Sequence, residues 1–248
     1  MANGAPTSRT TTTTSGKPPM SRASNRVVSE LERMIVTGEL VPGQQIRQEL
    51  MAERLGVSRL PIREGLRQLT SEGLVTHEHN VGFSVARLDQ SEFDQIYLMR
   101  AALEREVLAV LPRFDDAAIN DIRALGRRVS AAAADGDILQ MRLCNQMFHF
   151  AMFERSPLSL VVTELRRLWN LAMPYHAAYL YDPVAREKVC AEHDSMIDAL
   201  AAGDNELLIY LMNAHRKGGE ASTGVMLGPQ PEPPAAFHSI AEGDDSNR

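Results

Sequence analysis

Two helical patterns joined by a short glycine-containing turn constrain the fold of this chain more than any other feature. The stretch "QELMAERLGVS" is typical of a helix that ends at Gly56, and "RLPIREGLRQL" begins another helix three residues later. Ser58 stands at the N-cap position of the second helix, and Pro61 falls in its first turn, where a missing backbone N–H costs little. This pattern predicts a helix-turn-helix.

The second helix of the pair has an apolar side and a cationic side. Apolar residues recur at the spacing of a face that packs on a core, namely Ile62, Leu66 and Leu69. Arginines recur every four residues on a separate stripe, namely Arg59, Arg63 and Arg67. The arginines begin at the positive end of the helix dipole, so a polyanion is the natural partner. The alternative is a solvated surface face whose charge Glu64 partly balances.

The flanking segments complete a winged helix-turn-helix. "NRVVSELERMIVTGEL" has helical spacing and ends at Gly38, and "PGQQI" is a turn leading into a short extended piece. "GLVTHEHNVGFSVARL" favours a two-stranded hairpin around a turn at Asn80 to Gly82. The second helix of a helix-turn-helix enters the DNA major groove, and the arginine stripe lies on that helix. The context therefore favours DNA binding over a solvated face.

From Gln90 to Met226 every segment has helical character, and caps divide it into six helices. Asp115, "DGD" and "AGD" mark boundaries, "SP" at 156–157 and "DP" at 182–183 each pair a cap with a proline, and Pro174 predicts a kink in the fourth helix. The expected fold is mainly α, a winged helix-turn-helix followed by an all-α bundle. The expected divisions are a disordered tail, a DNA-binding domain, an effector-binding and dimerisation domain and a second disordered tail: 1–21, 22–88, 89–226 and 227–248.

Composition excludes nucleic-acid binding by bulk charge. The 248 residues carry a net charge of −6, so any DNA-binding surface is a local patch. Cys144 and Cys190 are the two cysteines of the chain and indicate no disulfide framework. The sequence has no pattern typical of a signal peptide or membrane span, and we expect a cytoplasmic protein without a membrane partner.

Polar side chains stand at interior positions of four bundle helices. Arg100, His193 and His215 each interrupt an apolar stripe, and Asn145 and His149 lie one helical turn apart. A single buried histidine is usually a hydrogen-bonded core residue. Three histidines and an amide on facing helices instead favour a divalent metal site, because bundle cores build such sites and imidazole is a common ligand.

These motifs resemble a known family. "GVSRLPIREGLRQLTSEGLV" resembles the GntR family of bacterial transcription regulators, and "YLMRAALEREV", "NQMFHF", "EHDSMIDALAAGD" and "LMNAH" resemble the FCD ligand-sensing domain of its FadR subfamily. The resemblance spans residues 22–222. It implies a homodimer that binds a double-stranded DNA operator with inverted-repeat symmetry, and whose operator binding, as a repressor, responds to a small organic acid.

The resemblance also implies roles for residues on the DNA side. Arg59 and Arg63 would contact guanines or phosphates, Ser58 the DNA backbone, and Asn80 to Gly82 the wing tip. One position departs from the family pattern, because many relatives carry Arg or Lys where this chain has Glu49. Either Arg47 takes the role of that basic residue, or the operator preference differs from that of those relatives.

Metal-binding FCD domains use an Asp-x3-His motif and two later histidines, which map to Asn145, His149, His193 and His215. Asn145 replaces the aspartate and adds no charge, so a bound ion (Zn, Ni or Mn) would keep its full charge unless an effector carboxylate neutralises it. We expect a lower metal affinity, and the occupancy of the site stays open. Arg100 would pair with that carboxylate, or it is structural and bonds a buried acid such as Glu104.

Two further functions remain open at this point. A metal-dependent enzyme could use the histidines to activate water, but no general base has HExxH-like spacing, and Glu192 is expected to point to another face. The bundle could also act only in dimerisation, with ligand-free histidines. We therefore expect no enzyme activity.

Overall fold

The structure, a computed structural model, describes residues 21–175 and 178–223. The predicted disordered tails lie outside the described residues, apart from Ser21. The amino-terminal elements are α1 (Arg22–Thr37), β1 (Gln45–Ile46), α2 (Gln48–Leu55), α3 (Arg59–Glu72), β2 (Val75–Glu78) and β3 (Gly82–Val85). The carboxy-terminal helices are α4 (Gln90–Ala109), α5 (Asp116–Asp135), α6 (Ile138–Phe153), α7 (Ser159–Ala172), α8 (Pro183–Ala202) and α9 (Asn205–Thr223).

The amino-terminal elements form a winged helix-turn-helix. The wing has one strand more than the predicted hairpin, because β1 pairs with β3 and gives the antiparallel order β1-β3-β2. The apolar side of α3 is fully buried, with Ile62, Leu66 and Leu69 each 0% exposed. Gly65 lets α3 approach α1 closely, since a Cβ there would lie 2.8 Å from Val27 Cγ1.

Six α-helices form the carboxy-terminal part among the described residues, in agreement with the predicted all-α bundle. Asp115 and Asp182 cap α5 and α8 as expected. Two helix-boundary predictions are wrong. Ser156 does not cap α7, which begins at Ser159 after Leu158. Pro174 does not kink a helix, because α7 has already ended and Pro174 lies in a short 3-10 segment, Met173–Tyr175.

A separate apolar cluster lies in the carboxy-terminal part next to the winged domain, built from residues of α4 and α7: Phe93, Ile96, Tyr97, Leu168 and Ala172. Leu171 packs against this cluster and against the core of the winged domain. The described helices include none that is both long and apolar enough to cross a membrane.

Polar contacts also join α1 to the bundle. The Arg142 guanidinium donates to the Val36 carbonyl at the end of α1 over 2.9 Å, and also to the Met173 carbonyl at the end of α7. Asn170 of α7 donates to the Glu32 carboxylate of α1 at 2.5 Å and accepts from Gln146 of α6 at 2.7 Å. Helices α6 and α7 therefore hold α1 in a defined position.

Candidate DNA-binding face and buried histidine cluster

The arginine stripe of α3 lies on the surface of the winged domain. Arg59, Arg63 and Arg67 are exposed, while the opposite side of the helix is buried in the core. Ser58 occupies the N-cap position with an extended backbone, but its side chain makes no capping hydrogen bond, contrary to the sequence expectation. Its hydroxyl is exposed beside the start of the arginine stripe, and Arg47 is exposed at the start of α2.

The wing tip depends on two residues with left-handed backbone conformations. Asn80 has φ 66° and Gly82 has φ 99°, so the chain reverses sharply between β2 and β3. The Gln45 amide donates to the Val81 carbonyl at 2.7 Å and ties the tip to β1. The predicted wing-tip residues thus lie at an anchored turn.

An open groove of about 400 Å³ separates α3 from the wing. Its lining residues are Gln48, Arg63, Arg67, Thr70, His77 and Phe83. Thr70 follows Arg67 by three positions, so helical spacing could have placed it on the stripe. The His77 ring contacts the Phe83 ring on the neighbouring strand, at a centroid distance of 4.4 Å. Helical spacing could not have predicted this cross-strand contact. Hydrogen-bond donors from α3 and from the wing therefore line the same groove.

One carboxylate lies on the same face. Glu49, in the first turn of α2, forms an ion pair with the Arg59 guanidinium at 3.3 Å. The side chains are 60% and 71% exposed, respectively. The residue that departs from the family pattern therefore contacts the first arginine of the stripe.

The three predicted histidines meet inside the bundle. His149 of α6, His193 of α8 and His215 of α9 have ring centroids 5.0–5.1 Å apart in every pairing. Their ligand-capable nitrogens all lie within 4.8 Å of one another. His149 Nε2 and His215 Nε2 are 3.2 Å apart, either as a hydrogen bond or as two ligands facing a common point.

His193 lies deep inside the bundle. It is 1% exposed and stacks on Phe148 at 4.1 Å, and neither ring nitrogen has a hydrogen-bond partner among the described residues. Burial, reinforced by His215, lowers the pKa of His193 well below its ordinary value. Asn145, one turn before His149, likewise has a buried Oδ1 with no partner within the described part of the chain.

Glu192 lies against the cluster rather than on another face, which corrects the sequence expectation. Its Oε2 is 2.7 Å from His215 Nδ1, and Lys188 lies 3.7 Å from its other oxygen. Burial alone would raise the pKa of Glu192, but the His215 and Lys188 contacts outweigh it and lower the pKa. Holding His215 by Nδ1 leaves Nε2 directed at the other histidines, as carboxylates do for histidine ligands in metal sites.

Arg100 belongs to a buried cluster centred on Glu104. The Glu104 carboxylate accepts from Arg100 Nε at 3.1 Å, Arg216 Nη1 at 3.1 Å and Trp169 Nε1 at 3.0 Å. The structural alternative for Arg100 is thus present, although its Nη1 is buried without a partner among the described residues. Trp169 links this cluster to the histidines, since its ring lies 4.1 Å from the Arg100 guanidinium carbon and 5.0 Å from the His149 ring.

Sequence reasoning missed Glu192 and Arg216 as partners of these clusters. Each is adjacent in sequence to a predicted histidine, His193 or His215, and that adjacency was the one available signal.

Comparison with known proteins shows the family to which this chain belongs. Residues 23–85 match the model of the bacterial regulatory proteins of the gntR family, and residues 95–218 match the FCD domain. The chain belongs to the GntR family. This GntR-family protein is a DNA-binding transcriptional regulator with an FCD domain, not an enzyme.

Relatives cover most of the chain. The regulator McbR of Escherichia coli strain K12 is 25% identical over 185 residues, which span 73% of this chain and 83% of McbR. The gluconate operon transcriptional repressor of Bacillus licheniformis is 27% identical over 202 residues, spanning 77% of this chain and 81% of the repressor. The solved structure of E. coli McbR/YncC has the same fold, with a TM-score of 0.77 at 23% identity over 84% of this chain and 99% of that chain.

Proposed function

We propose that this regulator is a cytoplasmic repressor that binds an inverted-repeat operator as a homodimer, and that a small organic carboxylate in the FCD domain changes its operator affinity. Repression is favoured by the gluconate operon repressor among its relatives. A dimer is favoured because paired recognition helices match the half-sites of an inverted repeat.

We propose in addition that the effector binds at a divalent metal held by His149, His193 and His215, with Asn145 as a further ligand. The observation that carries this proposal is the convergence of three imidazoles from three helices within 4.8 Å. With Zn–N distances of about 2.0–2.1 Å, a tetrahedral site sets its ligand nitrogens about 3.4 Å apart. The 3.2 Å separation of His149 Nε2 and His215 Nε2 fits that geometry.

Charge supports an anionic effector. Arg100 and Arg216 share the single Glu104 carboxylate, so this buried cluster has an excess positive charge. Neutral imidazoles and an amide would add nothing to offset a divalent ion. When bound, the metal would supply a site for a carboxylate oxygen, while Glu192 holds His215 in its ligand orientation. Arg100 Nη1 is a donor still available to the same anion.

The first experiment is the metal content of the untagged full-length protein purified without chelator, before and after incubation with Zn²⁺ or Ni²⁺. We expect about one ion per chain, and its loss in His193→Ala. His77→Ala, a histidine on the wing, is the matched control and should keep the metal.

Absence of metal in wild type, with no uptake during titration, would contradict the metal centre. The supported function would then be the second candidate, a bundle whose histidines are hydrogen-bonded core residues and whose main role is dimerisation. The His149–His215 contact of 3.2 Å is the observation that favours it.

A further inference from the structure

The Glu49–Arg59 ion pair lies where two helices meet the DNA. Glu49 is in the first turn of α2, and Arg59 is the first residue of α3. In a helix-turn-helix the start of the second helix contacts base edges while the first helix crosses the DNA backbone. The pair therefore stands at the junction between base contacts and phosphate contacts.

Folding stability does not account for this pair. Both side chains are more than half exposed, and exposed ion pairs contribute little to stability. A carboxylate on this face also repels DNA phosphates, so by itself it weakens binding to every sequence. Apart from its favourable place near the positive end of the α2 dipole, its favourable effect is what it does to Arg59.

We propose that Glu49 is a specificity-determining residue, which positions Arg59 to recognise a guanine rather than a phosphate. The contact engages Arg59 Nη1, and a guanidinium has five N–H groups in a rigid fork, so a second edge stays available for guanine O6 and N7. Pairing also cancels much of the charge that attracts Arg59 to the backbone. DNA binding covers this face and excludes water, which strengthens the pair where base recognition takes place.

The other two arginines of the stripe differ from Arg59. Within the described part of the chain, neither Arg63 nor Arg67 forms an ion pair, and both line the groove beside the wing. Their full charge remains available to the DNA. The stripe thus combines one arginine held by a carboxylate with two that are held by no counter-charge.

The test uses full-length protein and a pool of randomised DNA duplexes, from which the wild type selects its preferred sequence. Affinities are then measured for that duplex, its single-base-pair variants and an unrelated duplex. We expect Arg59→Ala to lose about 5- to 150-fold of the preference at one base pair in each half-site. Glu49→Gln should lose about 5-fold or more at the same base pair while binding the unrelated duplex more tightly, and the double variant should resemble Arg59→Ala.

Glu53→Gln is the matched control, because Glu53 is exposed one turn later on α2 and its substitution removes the same charge. If Glu49→Gln behaves as Glu53→Gln does, with all duplexes bound equally more tightly, Glu49 acts only through phosphate repulsion and the proposal is wrong. It is also wrong if Glu49→Gln changes the preference at a base pair that Arg59→Ala leaves intact, because Glu49 would then contact that base itself.

Discussion

Single side chains divide α3 into a buried side that packs in the core and an exposed side that we propose contacts DNA. Ile62, Leu66 and Leu69 are fully buried, and the arginines on the other side are exposed. Changes on the two sides should therefore have separable effects, on stability for the apolar residues and on DNA affinity for the arginines.

Arg63 provides the direct test of the exposed side, since it is central in the stripe and lines the groove beside the wing. Arg63→Ala should weaken operator binding by about 1–3 kcal/mol for each bidentate hydrogen-bonded pair with a base that it removes, summed over both half-sites. Fluorescence anisotropy at fixed salt measures it, with Arg105→Ala on α4 as an exposed control far along the chain. Equal affinity for wild type and Arg63→Ala would refute the assignment of α3 as the recognition helix.

The sequence predicts whether a side chain is buried or exposed when that depends only on the helix that carries it. Periodicity placed Arg63 outside and His193 inside, because both follow from the 3.6-residue repeat. It could not place Glu192 against His215, or Arg216 against Glu104, because those partners lie on other helices and their distances depend on how the helices pack.

At the level of elements, α1 contacts α6 and α7 through polar side chains. Burial lowers the pKa of Arg142, whose guanidinium binds only carbonyl groups among its described partners. Burial also raises the pKa of Glu32, and the nearby Glu72 carboxylate adds to the effect. A charged Glu32 is therefore a destabilising component of this interface at neutral pH.

Replacement of Glu32 by glutamine should remove that component. The folded protein binds the Glu32 proton more tightly than the unfolded chain does, so protonation of Glu32 increases the free energy of unfolding. This increase is complete below the ordinary pKa of 4.5 and is lost as pH rises through the raised pKa of Glu32. Glu32→Gln should therefore raise the melting temperature at pH 7–8 and have little effect near pH 4, while the amide oxygen still accepts from Asn170.

Thermal unfolding across this pH range measures the effect. Glu30→Gln is the control, since Glu30 lies on the same helix with its side chain 38% exposed, and the Arg33 contact lowers its pKa instead. A Glu32→Gln protein that is less stable than wild type at neutral pH would show that ionised Glu32 stabilises the interface.

Glycine stops and aspartate caps in the sequence predicted the helix ends correctly. Gly38, Gly56 and the aspartate caps mark helix ends correctly, because the capping hydrogen bond or left-handed backbone is set within a few residues. The short extended piece at β1 was predicted, but its pairing with β3 and the start of α7 were missed. A two-residue strand forms only by pairing with β3, and Ser156 lies in a bend after α6 rather than at the start of α7.

For the whole molecule, we expect the apolar cluster of α4 and α7 to couple the unfolding of the two parts, because Leu171 packs both on it and on the core of the winged domain. Phe93 is fully buried in that cluster, where its ring contacts the rings of Tyr97 at 4.5 Å and Tyr175 at 6.1 Å. The Tyr175 hydroxyl in turn accepts from the Leu88 backbone at 2.8 Å, at the junction between the wing and α4.

Phe93→Ala should cost about 3–5 kcal/mol and separate the unfolding of the winged domain from that of the bundle. Differential scanning calorimetry should show a single transition for wild type and two for the variant. Leu98→Ala on the same helix is the control, because Leu98 is 71% exposed. A single transition that merely shifts to lower temperature would mean that other contacts, such as those of Arg142, suffice to couple the two parts.

The position of the arginine stripe has a kinetic consequence. The winged domain balances nine arginines against eight glutamates, while the chain as a whole has a net charge of −6. We therefore expect DNA to repel the acidic bundle and to attract the molecule when α3 faces the duplex. Productive encounters should then be enriched in aligned orientations, and added salt should slow association because it screens this long-range field.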